Sequence, residues 1–575
     1  EPKTMGVVMD SLVKMTSIAK AAKTIYSPLT HVRNFVFNVF FHWSNGHMAG
    51  SDLGLNKDAW FMVMQNDVRG MSVNDVDAQA RLNHLIELGV IHDSNTFGEM
   101  RALLDDAWKT HDGPDSGLEG GFLQEYVGRV KDFAQDMYRA EDDFHKVVSF
   151  YKEMARYAKP FYGRPLDQLN ATERAELEEY AARMVRNTMP TYSQVSENFQ
   201  MIRRIPFIGT FVSFPYEVVR TQFNNLKQMH WDFTNDTVPK ERFAGMKLPA
   251  TARIGFSRAL GVTAINAGIA ALSSLMHQLI GMDDEDEDGL RYFLPPWSRS
   301  SVILPVKKEG SNINYIDVSR VVPQAYLIDV GVAMFDERHD LGGRLKQAGW
   351  SMAEPFFSED MTFRALYEAL HGVDSSGRPI SSPDDPNAIW KRLGHATEVF
   401  KPGAWTQGER IWRSFVNPEL DYYGKLYPGI EIFSAATGVR ISPMNVEGSF
   451  YFLAMGLRDR RNADRAIYTS EAKKQKWNLE ENEARIYSQE GLTVAEKDEQ
   501  FNEFYQQREQ HLASFKTRAQ SAYKKMFEDA IKMYRAGVKL GADPDEFKSS
   551  LRKVGFNSEE IEYIANGEMY IPEFD

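Results

Sequence analysis

The chain of 575 residues contains no cysteine, and its overall charge is acidic. Without thiols it has no disulfides, no cysteine nucleophile and no cysteine-ligated zinc. Its formal charge of -13 at pH 7 gives the whole chain no electrostatic reason to hold nucleic acid, because phosphate binding needs clustered Lys and Arg. Any contact with DNA would therefore be local.

Catalytic motifs are missing as well. The sequence has no HExxH, no GxSxG, no Walker A loop and no GxGxxG opening a helix. We therefore expect no enzyme, no catalytic residues, no cofactor and no metal site. Nothing near Glu1 has the pattern of a secretory signal, so we expect a piece of a longer polypeptide or a processed product.

An acidic run at residues 283–288 has the spacing of the first half of an EF-hand loop. The twelfth position, which needs a bidentate Glu, is Pro295, and Arg291 stands where an apolar residue is required. The calcium interpretation fails. We expect a solvated acidic loop instead.

Just before the acidic run lies an uncharged stretch, residues 259–282, with the sequence ALGVTAINAGIAALSSLMHQLIGM. It is long enough to cross a hydrocarbon core and follows Arg253 and Arg258. Small residues recur at four-residue spacing, which permits close helix contact in a membrane or at the centre of a tight bundle. Both interpretations stay open. The residues predicted for this membrane or oligomer helix are Ala259, Gly261, Ala264, Gly268, Ala271, Leu275 and Leu279.

A second apolar helix is predicted near the N-terminus, beginning at the Ser27-Pro28 pair. Asn34, Asn38 and His42 form a narrow polar stripe on it, and most of its circumference is apolar. Such a helix must be buried in protein, a partner or lipid. Its apolar residues are Val32, Phe35, Val36, Val39, Phe40 and Trp43.

Helical periodicity dominates the rest of the chain, so we expect a mainly α, elongated multi-helix assembly. One small β-hairpin is predicted from residues 302–305 and 313–318. A capping box at Asn170 and Glu173 starts one helix, and another at Thr493 and Glu496 starts a long C-terminal helix. One face of that long helix is lined by Phe501, Phe504, Leu512, Phe515, Ala519, Tyr523, Met526 and Ala530.

Composition shifts divide the chain into six segments. They are an apolar N-terminal helix region (1–60), an amphipathic helical domain (61–200), a Pro-broken apolar segment with the membrane-competent helix (201–290), a β-hairpin region (291–335), a loop-rich helical region (336–468) and the long charged helix with a C-terminal helical hairpin (469–575).

One basic stretch is a weak candidate for nucleic-acid contact. Trp477 adds a ring on which a base could stack, but nearby Glu480, Glu481 and Glu483 favour a solvated helix face. The candidate residues are Arg458, Arg460, Arg461, Arg465, Lys473 and Lys474.

Several motifs occur in an order that resembles one group of proteins. The sequence YSPLTHVRNFVFN (residues 26–38) resembles an SPxTxxRN helix, and LPPWSRSSVILP (294–305) with NYIDVSRVVPQAYLID (314–329) resembles an LPxW block followed by strands. EALHGVDSSGRPI (368–380) and FSAATGVRISPMN (433–445) resemble GxDxxGR and GxR signatures. This order is similar to that in internal virion proteins, or DNA-ejection proteins, of short-tailed bacteriophages and in related large polyvalent phage proteins.

The resemblance implies a protein that is stored in the capsid core as a homo-oligomer, with the portal and other internal virion proteins as partners. It further implies release into the host periplasm and inner membrane to help form a conduit for genomic DNA. Larger members carry a peptidoglycan-cleaving domain, which is not recognisable in this chain. The alternatives are the structural C-terminal part of a larger virion polypeptide whose wall-cleaving or transcribing activity lies upstream, or a permanent component of the portal or tail.

Overall fold

The computed structural model describes residues 27–47, 53–67, 76–91, 122–191, 213–295, 298–299, 301–322, 334, 341–353, 361–372, 380–381, 386–420 and 424–570. Within these residues the chain is mainly helical, with 17 α-helices and two small sheets. The fold class expected from the helical periodicity is confirmed.

The helices follow one another along the chain with short turns or with segments outside the described residues between them. In order they are α1 (Pro28–Ser44), α2 (Leu53–Asp67), α3 (Val76–Glu87), α4 (Phe122–Tyr162), α5 (Ala171–Thr188), α6 (Ser213–Thr234), α7 (Ala252–Ile280), α8 (Asp284–Phe293), α9 (Leu341–Ala353), α10 (Met361–His371), α11 (Ala388–Glu398), α12 (Gly403–Val416), α13 (Pro428–Thr437), α14 (Val446–Tyr487), α15 (Val494–Lys539), α16 (Pro544–Lys553) and α17 (Ser558–Asn566).

Five strands form the two sheets, and all their pairings are antiparallel. β1 (Lys240–Phe243) pairs with β2 (Met246–Pro249), and β3 (Ile303–Glu309), β4 (Asn312–Asp317) and β5 (Ile441–Asn445) form the second sheet in that order. The predicted hairpin is β3 with β4 and is confirmed. The β1–β2 hairpin and strand β5 were not predicted. The third strand has no local signal, because Asn445 lies 133 residues from its partner Asn312 in the sequence.

Helices α1 to α6 share one hydrophobic core, and α4 contacts α1, α2 and α5 within it. The Asn170 and Glu173 capping box is present at the start of α5, as predicted. Helix α7 packs on α6 and α1 at the edge of this core. Among the fully or nearly fully buried side chains are Phe41, Leu82, Leu85, Val147, Met154, Tyr157, Leu177 and Ala181.

Helices α14 and α15 form a long antiparallel hairpin of 42 and 46 residues, roughly 63 and 69 Å in length. The Thr493 and Glu496 capping box starts α15, and Leu512, Ala519, Tyr523, Met526 and Ala530 are buried on the predicted face. The short helices α16 and α17 cover the far end of this face, where Phe547 stacks on Phe450. The predicted long C-terminal helix is therefore confirmed, together with its packing face from Leu512 onward.

The acidic run was wrongly expected to form a loop. Asp283 caps α8 and shares a capping box with Asp286, so the run is the first turn of a helix. Acidic side chains are favourable there because the N-terminus of a helix carries partial positive charge. Lys539 adds contacts of 3.0 Å to Asp283 and 2.7 Å to Glu285.

Several predicted breaks fall at different places in the structure. Pro215 was expected to interrupt a helix, but it lies in the first turn of α6, where proline is tolerated. The segment boundaries at 60/61, 290/291 and 468/469 fall inside α2, α8 and α14. The boundaries at 200/201 and 335/336 lie outside the described residues. Shifts of composition therefore do not mark the packed units here.

Candidate functional site

Helix α7 contains the uncharged stretch. Of the part of the chain that the structure describes, it is the helix long and apolar enough to cross a membrane. Its 29 residues span about 44 Å, more than a hydrocarbon core of about 30 Å. It ends at Gly281, whose left-handed backbone with φ of 73° closes the last turn. Only 11% of its most apolar window is buried, so it is not the core helix of a tight bundle within the described residues.

Glycines allow the first ten residues of α7 to pack closely against α1 and the turn that follows it. Gly261 lies on the end of α1, where a Cβ atom would overlap the backbone carbonyl oxygen of Trp43. Gly46 has a φ of 75°, and a Cβ there would lie 2.7 Å from the backbone of Ser257. Ser257 in turn donates a hydrogen bond of 2.9 Å to the Gly46 carbonyl. Here the small residues permit the close helix contact that the sequence predicted.

Arg258 is the centre of a buried charge network at this end of α7. Its side chain is fully buried, and its guanidinium donates through Nε to Asp232 at 3.2 Å and through Nη2 to Glu153 at 3.2 Å. Nη1 donates to Asn45 at 2.7 Å and to Asn225 at 3.3 Å. One guanidinium thus joins α7 to α4, to α6 and to the residue that follows α1.

Neighbouring groups complete the network around the two buried carboxylates. Glu153 also receives hydrogen bonds from Arg156, and Tyr157 Oη donates to Asp232 Oδ1 at 2.5 Å. Burial by itself would raise the pKa of Glu153, but the charges of Arg156 and Arg258 and the contact with His47 outweigh it and hold that pKa well below its usual value. The carboxylate is therefore ionised and paired at neutral pH, as a buried charge must be.

Three histidines extend this network between α1 and α4. His42 Nε2 lies 3.0 Å from His145 Nδ1, His42 Nδ1 lies 3.5 Å from His47 Nδ1, and His47 Nε2 lies 3.2 Å from Glu153. Ser149 Oγ lies 3.4 Å from His42 Nδ1. Burial is the main cause that lowers the pKa of His47 to about 4 and that of His145 to about 3, and burial with the neighbouring histidines lowers the pKa of His42 as well. All three rings are neutral at pH 7.

The remainder of α7, residues 262–280, touches the protein along a narrow stripe only. Ile265 and Ile269 pack against the small cluster beside β3, and His277 is buried near Glu287, at 3.5 Å. The opposite face carries large exposed side chains, with Leu275 50% and Leu279 71% accessible. Among the described residues, no atom outside the local backbone of α7 lies within 4 Å of a Cβ built on Gly268. This face is therefore open to another molecule.

The seven residues predicted for the membrane or oligomer helix fall into two groups. Gly261 is buried and Ala259 is half-buried at the anchored end. The other five share the exposed face: Ala264, Gly268, Ala271, Leu275 and Leu279.

The N-terminal apolar helix is α1, and its most buried side is not the predicted apolar face. Asn38 and His42, from the predicted polar stripe, are buried, as are Phe37 and Phe41. Phe35 is exposed, and five of the predicted residues are half-buried: Val32, Val36, Val39, Phe40 and Trp43. Phe40 and Trp43 pack on the cluster beside β3. The polar side faces inward because its partners, among them His145, lie on α4.

The structure also separates the basic residues of the nucleic-acid candidate. Arg461 is buried, pairs with Glu560 at 3.0 Å and lies over the ring of Phe556, so it is a packing residue. Arg458 donates to Asp459 and to the Val554 carbonyl. Arg465 and Lys473 border a shallow open groove on α14, and Lys474 lies 4.0 Å from Glu471. The side chain of Arg460 lies outside the described residues. Of the candidate side chains that the structure describes, Arg465, Lys473 and Lys474 are exposed on α14.

Sequence reasoning missed the partners of Arg258. Glu153 lies 105 residues away along the chain and Asn45 lies 213 away, so no local pattern connects them. The available signal was Arg258 itself, a charge inside an otherwise apolar helix, which points to buried carboxylates.

Among the described residues, no group of three or more His, Asp and Glu side chains has the arrangement of a metal site. The network around Arg258 holds the N-terminal end of α7 in place, and the exposed apolar face of residues 262–280 remains available for contact with another molecule. Comparison with protein families, with curated proteins and with solved structures found no match for this chain.

Proposed function

We propose that this chain is a structural virion protein of the ejection type, which self-associates and inserts α7 into the host membrane during genome delivery. The observation that carries the proposal is the exposed apolar face of residues 262–280, on a helix long enough to span a bilayer. Soluble monomers seldom expose a continuous apolar face of this kind without a partner. The motif order shared with short-tailed phage ejection proteins supports the same function.

During this insertion, the network around Arg258 would keep the N-terminal end of α7 in place. Arg258 and Gly261 hold the first turns of α7 in the N-terminal core, whereas Ile265 and His277 are the buried residues of the part that follows. Before insertion, a second copy of the chain would cover the open face, since Gly268 and Ala264 allow close backbone approach. Capsid core, host periplasm and inner membrane are the locations that this function requires, and the portal and other internal virion proteins are the implied partners.

Insertion is testable because the chain has no cysteine, so a single introduced thiol can carry an environment-sensitive dye. Ala271→Cys places the dye on the exposed face of α7, and Ala463→Cys places it on the exposed surface of α14 as a matched control. With phospholipid vesicles, we expect a blue shift and protection from aqueous quenchers at position 271 and no change at position 463. A dye at position 271 that stays in water would reject membrane insertion.

The virion role has a separate test. Imaging of filled and emptied particles should show the protein above the portal in the former and its loss in the latter. Retention of the protein after emptying would favour the permanent portal or tail component instead.

A further inference from the structure

Helices α10 to α13 bury several polar side chains and expose many of their large apolar ones. On α12, Trp405, Trp412 and Phe415 point to solvent and are 68%, 68% and 63% exposed. The opposite face of the same helix places Arg410 against Glu431 of α13, with hydrogen bonds of 2.9 and 2.8 Å. Glu431 is only 1% exposed. The helix is amphipathic, but its orientation is the reverse of that in a soluble protein.

The same inversion occurs on α10 and α11. Glu368 of α10 is buried and accepts a contact of 2.6 Å from His395 Nε2 of α11. Leu370, Ile389 and Trp390 lie on the outer faces and are each more than 70% exposed. The buried apolar cluster between these helices consists of Ala365 and Val399, with Phe400 packed beside it. Polar pairs therefore join these helices, and most of their apolar surface has no contact within the described residues.

Charge and residue type indicate what covers this surface. Residues 388–416 contain five Lys and Arg against two Glu. Arg410 lies on the inner face with Glu431, so the other charged residues leave a formal charge of +2 in a chain of -13. Lys391 directly follows Trp390, and Arg413 directly follows Trp412. Tryptophan rings prefer the membrane–water interface, and Lys and Arg beside them reach anionic headgroups. A second copy would bring two surfaces of the same positive sign together in a symmetric contact, which is unfavourable.

The lengths of α11 and α12 determine how these helices can contact a membrane. Helices α11 and α12 have 11 and 14 residues, or roughly 17 and 21 Å, and are too short to span a bilayer. We propose that the outward faces of α11 and α12 form an interfacial membrane-binding surface for anionic lipid. This surface is separate from α7, and the inference rests on the proposed function only in requiring that the chain meets a membrane.

The test uses the full chain with Trp405→Ala and Trp412→Ala combined, and Trp477→Ala as the matched control. Trp477 is 72% exposed but lies on the charged helix α14, so its loss removes a ring of equal exposure from a different surface. We expect wild-type protein to float with vesicles of phosphatidylcholine and phosphatidylglycerol and to bind less as ionic strength rises. The double variant should bind at least about tenfold more weakly, because two apolar rings no longer leave water. The control variant should match wild type.

Circular dichroism and thermal unfolding of all three proteins should agree, since each substituted ring is at least 68% exposed. Equal binding by the double variant and wild type would overturn the proposal, as would equal losses in the double variant and the Trp477 control. If the wild type is a dimer, the double variant is a monomer and both bind vesicles equally, the Trp surface contacts a second copy of the chain and not a membrane.

The α7 variant Leu275→Asp with Leu279→Asp separates the two proposals. If α7 inserts and the Trp surface binds independently, this variant stays on anionic vesicles but loses dye protection at position 271. Loss of all vesicle binding in this variant alone would leave α7 as the membrane contact and reject the Trp surface.

Discussion

The first ten residues of α7 and the rest of that helix differ in how firmly the protein holds them. Residues 252–261 are held by a fully buried arginine and by glycines in backbone contact, whereas residues 262–280 leave a whole face to solvent. Both parts are rich in small residues. The comparison shows that a small residue in a helix does not by itself indicate close packing. Gly261 lies against the backbone of Trp43, whereas Gly268 lies on the exposed face of the same helix.

The largest expected effect is at the anchor. Arg258→Met leaves Glu153 and Asp232 buried without their shared cation, and we expect a loss of about 3–5 kcal/mol in the free energy of unfolding. Arg253→Met, on the same helix but 61% exposed, should change it by less than about 0.5 kcal/mol. Urea unfolding followed by circular dichroism measures both. Similar urea midpoints for Arg258→Met and Arg253→Met would contradict the role of Arg258 as the buried anchor of α7.

A second test addresses close packing. In Gly261→Ala the new Cβ atom would overlap the backbone carbonyl of Trp43. The backbone sets the position of both groups, so neither can move away by a side-chain rotation. We expect destabilisation of about 1–3 kcal/mol in urea unfolding. A gain in stability, as the helix propensity of alanine alone would give, would mean that α7 does not rest on α1 at this point.

Acid should loosen the anchored end in particular. The neutral, buried histidines have folded-state pKa values below their unfolded value of about 6.5, so the unfolded chain binds more protons as the pH falls from 6.5 towards 4. Stability is therefore present above pH 6.5 and declines below it, by up to about 1.4 kcal/mol per pH unit for each histidine. The lowered pKa of Glu153 adds a further loss below about pH 4.5.

Unfolding midpoints at pH 7, 6 and 5 measure this slope. His145→Asn keeps a nitrogen near His42 but cannot titrate, so its slope should be shallower than that of wild type. His511→Gln replaces a half-exposed histidine on α15 and is the matched control for the loss of a histidine elsewhere in the chain. Parallel pH profiles for wild type and His145→Asn would contradict the assignment.

The smallest expected effect belongs to the open part of the helix. Within the described part of the chain, the added methyl group of Gly268→Ala meets no atom of another element. Alanine has a much higher helix propensity than glycine, so we expect a gain of up to about 1 kcal/mol in the free energy of unfolding. Thermal unfolding at low protein concentration measures this for the isolated chain. Destabilisation that appears only at high concentration would show that another copy approaches Gly268.

The sequence by itself determined the local elements. The capping boxes at Asn170 and Thr493, the β3–β4 hairpin and the packed face of α15 all depend on residues a few positions apart, and all are present as predicted. The acidic run was expected to be a solvated loop, whereas its acids form the first turn of α8.

Tertiary structure decided which faces turn inward. Arg258 is buried because Glu153 and Asp232 meet it from two other helices, and the polar side of α1 is buried because His145 lies opposite. The reversed helices α10 to α13 follow from pairs such as Arg410 with Glu431. A charge enters a protein interior only beside a partner, and these partners come from distant positions that periodicity does not connect. Local pattern therefore determined where helices such as α5 and α15 begin, and long-range charge pairing determined which way helices such as α7 and α12 face.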